Sequence, residues 1–333
     1  MNNACKIKFS QLMLFISLCS FFPILLVNGE TLAQAGPGFC IAACVFAFAD
    51  ILLFIFISRR SISNVPKGMY AVLKATADVF LLVTAARFIG FFSDFFCLMI
   101  NTRASQTAIA AAMLVCVWFA VSKGISGLSA SGIIFSAVLG FMLAFLAVGA
   151  VPEIDFQNLN GFFYNEVNGT FDFVMLLLSL NFAPTALLLL NTDTLPPKKL
   201  SALWVPLVFF ICAVLVMFFV AACLGRYAFT QPYPIMTLFR YPRFTVLESV
   251  SGILLLVLTL LCLCAVSACV CGIYGDSKKS KLRSFLLCAS VFVLWALQKY
   301  GALNFNSRIG IYIIGGLSVL SLSLCLIFSK EKS

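Results

Sequence analysis

The sequence predicts an all-α integral membrane protein of about ten transmembrane helices, and three observations carry that reading. Hydrophobic residues make up 62% of the 333-residue chain and charged residues only 10%, with a mean hydropathy of +1.10. A soluble domain holds roughly 45–50% apolar and about 25% charged residues, so this chain has too little charge to clothe a water-facing surface and must be solvated by lipid. Its apolar runs repeatedly approach the ~20 residues that cross a bilayer as a helix. They are continuous rather than alternating, which argues against a β-barrel. The Lys and Arg residues collect in short loops between the runs, where they set membrane orientation.

The spans are expected at about 9–28, 38–58, 69–100, 106–122, 126–150, 171–191, 200–225, 245–274, 283–299 and 308–328. Span 2 ends on Arg59-Arg60, and a polar, partly acidic loop with Glu153, Asp155 and Glu166 follows span 5. Gln231-Pro-Tyr-Pro234 precedes a short apolar segment, Ile235–Tyr241, of re-entrant or interfacial character. One transmembrane domain therefore covers 1–333, with a first five-helix half over 1–150, an extracytoplasmic loop over 151–170 and a second half over 171–328. One set of span ends carries Lys6, Lys8, Arg59, Arg60, Lys67, Lys123, Lys198, Lys199, Lys278, Lys279, Lys281, Arg283, Lys330 and Lys332. The other carries Arg103, Arg226, Arg240, Arg243, Lys299 and Arg308. The richer set is expected in the cytoplasm, which places both termini there and requires an even number of spans. A rival reading takes Lys6, Lys8, the first apolar run and Ala33-Gln-Ala35 as a signal peptide, leaving nine spans. Asn168-Gly-Thr170 is a glycosylation sequon on the outer side, relevant only in a eukaryotic secretory setting.

Two spans contain a proline in polar company: Ser17-Leu-Cys-Ser20 leading to Pro23, and Ser179-Leu-Asn181 leading to Pro184 and Thr185. Counted in order they are spans 1 and 6, the first of each half. A proline removes one helical hydrogen bond and clashes with the preceding turn, and in lipid the freed carbonyls need a partner. Matched breaks in corresponding helices of two halves point to a transporter-type site near the bilayer midplane. Ser17, Ser20, Pro23, Ser179, Asn181, Pro184 and Thr185 are the candidate ligand-binding residues. The plain alternative is a pair of proline kinks whose hydroxyls bond back to their own helices.

Ionisable side chains within spans are costly against lipid and usually face an interior partner or cavity. Asp50, Asp78, Arg87 and Glu248 form a candidate intramembrane charge network, with Arg87 and Glu248 the deepest expected partners. Lys74 and Asp78, four apart, also suit an interfacial ion pair, and Asp94 lies near the outer end of span 3. Fourteen cysteines accompany no histidine. Most sit inside apolar runs such as Leu261-Cys-Leu-Cys264 and Ala268-Cys-Val-Cys271, where a thiol packs as a small hydrophobe. No phosphate loop, metal-ligand spacing or nucleophile–base frame is visible, so no enzyme, cofactor or metal is expected. The net charge of +10 lies in loops and makes no nucleic-acid surface.

Lys6-Ile-Lys-Phe-Ser-Gln11 enters span 1, and Pro234-Ile-Met-Thr-Leu-Phe-Arg240 is followed by Phe244-Thr-Val-Leu-Glu248. With the ten-span order and the outer loop between spans 5 and 6, these segments resemble GerAB-type spore germination permeases of the amino acid–polyamine–organocation transporter superfamily. The entry differs in spacing, since Ser10 and Gln11 are adjacent, and Ser249 stands where the family has Arg. The resemblance implies a LeuT-like five-plus-five inverted repeat with helices 1 and 6 discontinuous around a small ligand. It also implies the B subunit of a germinant receptor in a bacterial cell membrane or spore inner membrane. That subunit would bind a nutrient such as an amino acid and act with A and C subunits. The alternative is a proton-coupled carrier of amino acids or amines.

Overall fold

The computed structural model describes residues 9–25, 27, 29–35, 39–58, 60–61, 67–99, 103–160, 167–190, 204–240, 250–274, 281–328 and 330–331. The helices in chain order are α1 Phe9–Leu25, α2 Gly29–Ala35, α3 Phe39–Ser58, α4 Lys67–Met99, α5 Gln106–Ser122, α6 Ile125–Ala150 and α7 Gln157–Asn160. After α7 come α8 Val167–Leu180, α9 Ala183–Leu190, α10 Trp204–Phe219, α11 Pro234–Arg240, α12 Val250–Tyr274, α13 Lys281–Lys299 and α14 Arg308–Phe328. The strands among the described residues are two-residue segments, β1 Arg60–Ser61 and β2 Lys330–Glu331, which pair antiparallel. The protein is an all-α membrane protein. Six helical stretches are long and apolar enough to cross a membrane, and four shorter apolar helices fall where the remaining spans are expected.

The side chains are apolar on the outside of the bundle as well as in its core. Large apolar residues are exposed on the perimeter, among them Phe119, Ile134, Phe141 and Ile309, while Asp50, Thr84, Arg87 and Ser179 are buried within the bundle. Only a lipid solvent makes that arrangement favourable.

The loops gather at two ends. At one, the Gly29 amide donates to the Gln231 carbonyl (2.9 Å), and the Asp155 amide donates to the Ala222 carbonyl (3.2 Å). Arg308 pairs with Asp172 there at 3.0 Å, and Gln106 Nε2 donates to Asp94 at 3.0 Å. At the other end, Lys74 Nζ donates to the Ile273 carbonyl (2.9 Å) and Trp118 Nε1 to the Lys281 carbonyl (3.2 Å), close to the β1–β2 pair. Counting α8 and α9 as one, the ten apolar helices among the described residues run alternately between these ends.

Packing inside the bundle follows a regular scheme. α4 lies along α12, and α3 along α10. α1 packs on α6 as α8 and α9 pack on α14, α5 on α12 as α13 on α4, and α6 on α12 as α14 on α4. Two glycines at like positions permit close approaches between helices. A Cβ on Gly132 of α6 would lie 3.2 Å from both Cα and Cβ of Phe15 in α1, and one on Gly315 of α14 would lie 3.0 Å from Met175 Cε in α8. Each glycine is the eighth residue of its helix. Small residues of this kind let membrane helices gain van der Waals contact where no hydrophobic drive pulls them together.

Candidate functional site

The site begins with a broken helix. An uninterrupted helix through 167–190 would need an amide at Pro184 to bond the Leu180 carbonyl, and proline has none. The chain instead stops α8 at Leu180 and restarts α9 at Ala183, with Pro184 in the new first turn, where a missing N–H costs little. The loose carbonyls are partly satisfied by tight turns: the Asn181 amide donates to Leu178 O (3.2 Å), the Phe182 amide to Leu180 O (3.0 Å), and the Ala186 amide opens α9 on Phe182 O (2.9 Å). α1 behaves differently. It runs helically through Ser17, Ser20 and Pro23 and ends at Leu25, two residues past the proline, so Pro23 lies in its last turn rather than at an internal break.

A small cavity lies against this break, enclosed by α1, α3, α8 and α10. Ser20 and Pro23 of α1, Asp50 of α3 and Asn181 at the break all line it, with Phe46, Phe210 and Met217 among its apolar walls. The cavity volume is about 40 Å³, above the roughly 10–15 Å³ needed to hold a water. Asp50 is 2% exposed. Its carboxylate accepts a hydrogen bond from Asn181 Nδ2 at 2.5 Å, tying α3 to the break. Among the described residues Asn181 is this carboxylate's hydrogen-bond partner, and neither Lys nor Arg lines the cavity. Ser20 Oγ donates back to the Ser17 carbonyl (2.7 Å), while the buried Ser17 Oγ has no hydrogen-bond partner among the described residues.

Arg87 of α4 is 1% exposed and engages the other side of the same half-helix. Its Nη1 donates to Ser179 Oγ (2.9 Å) and, more weakly, to the Ser179 carbonyl (3.4 Å). Its Nε donates to Asn306 Oδ1 (3.2 Å), and the guanidinium lies 5.6 Å from the Phe91 ring centre. A cation near the carbonyl end of α8 is electrostatically well placed. Nη2 is buried without a hydrogen-bond partner among the described residues. Glu248, the expected partner of Arg87, lies outside the described residues. Asn306 carried no signal in the sequence, because it lies in a loop whose fold against α4 no periodicity announces.

The remaining expected residues are placed as follows. Ser179 Oγ donates to Leu176 O (2.7 Å) as well as receiving Arg87. Thr185 Oγ1 turns away from the cavity to Ser321 Oγ of α14 (3.5 Å). Asp78 pairs with Lys74 at 2.9 Å near the opposite end of α4 from Asp94. Pro184 is buried in the first turn of α9. The structure thus brings Ser20, Pro23, Asp50 and Asn181 together at one cavity, sets Ser179 and Arg87 beside it as a brace, and leaves Ser17, Asp78 and Thr185 off it. Among the described residues no group of three His, Cys, Asp or Glu side chains is placed to hold a metal.

The fold and this cavity define a membrane-embedded all-α protein with an internal polar site at a helix break. No protein-family model matches the chain, and no characterised protein matches it in sequence.

Proposed function

We propose that the chain is the membrane-embedded nutrient-binding subunit of a spore germinant receptor, with an amino acid or similar small molecule as ligand, signalling through A and C partner subunits. The observation that carries the binding part is the convergence of Ser20, Pro23, Asp50 and Asn181, from three segments far apart in sequence, on one cavity at a membrane-helix break. Breaks of this kind expose unpaired backbone poles to a ligand at membrane depth.

The five-plus-five repeat has independent support in the packing. Exchanging the first five apolar helices for the last five maps α1–α6 onto the α8/α9–α14 pair, α5–α12 onto α13–α4, and α6–α12 onto α14–α4, and leaves α3–α10 and α4–α12 unchanged, whereas the α1–α12 contact has no comparable α8/α9–α4 counterpart. The eighth-residue glycines Gly132 and Gly315 exchange as well. Because each half has an odd number of traverses, the second enters the membrane from the opposite side, which is the inverted form. Loop charge puts the β1–β2 end and both termini in the cytoplasm of a bacterial cell or spore inner membrane. The receptor part of the reading rests on the resemblance of the 234–248 segment to germination permeases.

The carrier reading keeps one observation of its own. A buried carboxylate with no cationic partner among the described residues suits a group that takes up a coupling ion or proton. Spores lacking the gene, tested against single nutrients, separate the two. Loss of the response to one nutrient class is expected, and an unchanged response to every nutrient would refute the receptor. Robust uptake by the purified protein in liposomes would establish the carrier instead.

A further inference from the structure

We propose that the cavity at the α8–α9 break is an ammonium site: Asp50 is the counter-ion for the protonated amine of a short-chain alkylamine, and a carboxylate on the ligand opposes binding. This deepens the nutrient-binding reading by fixing its substrate class, and it rests on that reading.

Charge makes the case first. Among the described residues Asp50 is the one ionisable residue in the lining, it is 2% exposed, and Asn181 engages one of its two oxygens. An ionised carboxylate has about four acceptor positions, so most of this group's capacity is open to a donor in the cavity. An amino acid would need a second, positive subsite for its own carboxylate, and the described lining has none. Arg87, the buried cation beside the break, is engaged by Ser179 and Asn306, and neither of these residues lines the cavity.

The backbone poles point the same way. The lining residues Leu177, Leu180 and Asn181 belong to the carbonyl end of α8, and Ser20, Pro23 and Ile24 to the carbonyl end of α1. Helix C-termini carry a partial negative charge of about half an electron. The amide end of α9, which would attract an anion, contributes no lining residue: the lining passes from Asn181 to α10 without Phe182, Ala183 or Pro184. Among the described residues, two negative poles and a carboxylate therefore face a space with no positive pole in its lining.

The donor set separates an amine from a metal ion. Among the described residues, side-chain oxygens in the lining come from Ser20, Asp50 and Asn181, whereas hard metal cations demand about six oxygen ligands. An ammonium needs three acceptors and tolerates apolar walls along its chain. Phe46, Phe210, Val214 and Met217 supply those walls, and aromatic faces attract a desolvated cation. The cavity of about 40 Å³ accepts the head group.

The test uses the full chain in lipid nanodiscs, with binding of n-propylammonium, 1-propanol, butyrate and L-alanine measured by calorimetry for the wild type and for Asp50→Asn. Propylammonium is expected to bind at least tenfold tighter than 1-propanol, butyrate or alanine, and Asp50→Asn to weaken it at least tenfold while leaving 1-propanol unchanged. A smaller loss in the folded variant overturns the proposal. If alanine binds tighter than propylammonium and independently of Asp50, the ammonium site is refuted while nutrient binding stands. If a wide panel of nutrients also fails to bind, both readings fall. Should Asp50→Asn not fold, the wild-type contrast between propylammonium and its neutral isostere decides alone, and equal affinity refutes the proposal.

Discussion

The contact between Asp50 and Asn181 should be strongly non-additive, because each side chain is the other's hydrogen-bond partner inside the bundle. Asn181 Nδ2 lies 2.5 Å from Asp50 Oδ1, and Asp50 is 2% exposed, so water cannot replace either partner without entering the cavity. A hydrogen bond to a charged group is worth about 1.5–3 kcal/mol, and stranding a buried polar group costs about 1–3 kcal/mol. Asn181→Ala strands a carboxylate and Asp50→Ala strands an amide, so each single change should cost roughly 1.5–3 kcal/mol. The double variant strands neither. Its cost should fall short of the summed singles by about 1.5–3 kcal/mol, the coupling a double-mutant cycle isolates. Equilibrium unfolding in mixed micelles, followed by tryptophan fluorescence and circular dichroism, reads all four corners of the cycle. Additivity to within about 0.5 kcal/mol would refute the pairing and with it the link between α3 and the helix break.

Ser179→Ala should cost about 1.5–3 kcal/mol in the same assay, since it removes the 2.9 Å acceptor of a buried guanidinium. Ser17→Ala, which deletes a buried hydroxyl with no described partner, should be neutral or stabilising by up to about 1 kcal/mol, and a marked loss of ligand binding in it would show that Ser17 reaches the ligand. Gly132→Leu and Gly315→Leu should each lose about 1–3 kcal/mol by overpacking, whereas Gly140→Leu and Gly316→Leu, where an added Cβ meets nothing within 4 Å, should change little; equal effects at all four would remove the close approaches. Lys74→Met should cost about 0.5–1 kcal/mol through loss of the Asp78 pair and the bond to the Ile273 carbonyl, and added salt should narrow the gap to wild type.

The class of fold was legible because lipid solvation marks every residue of a span, so ten apolar runs survive as ten apolar helices. The break at Asn181 was legible for a local reason: Pro184 lacks one amide, and the consequence falls within four residues. Pro23 carries the same local signal, yet α1 continues for two residues beyond it, because one missing bond in a final turn ends a helix without interrupting it. What the sequence hid is facing. α3 is apolar nearly all round, so no stripe declares which side turns inward, and the meeting of Asp50 with a residue 131 positions away has no local cause. Thr185 illustrates the converse. It sits beside the break in the chain but faces Ser321 on α14, because one residue of helix turns a side chain by about 100°.

α3 and α10 lie against each other and contribute unequally to the cavity: α3 brings Asp50 to it, while the facing stretch of α10 is Ala213-Val-Leu-Val-Met217. The first helix of one half is intact as far as Leu25, and that of the other is split at Asn181. Charge therefore enters from the first half, and an apolar wall and a backbone pole from the second. A ligand held between them would touch both halves at once, so its binding energy would depend on how they sit against each other. That dependence is the differential affinity a ligand needs to shift a conformational population, and it is available to a receptor and to a carrier alike.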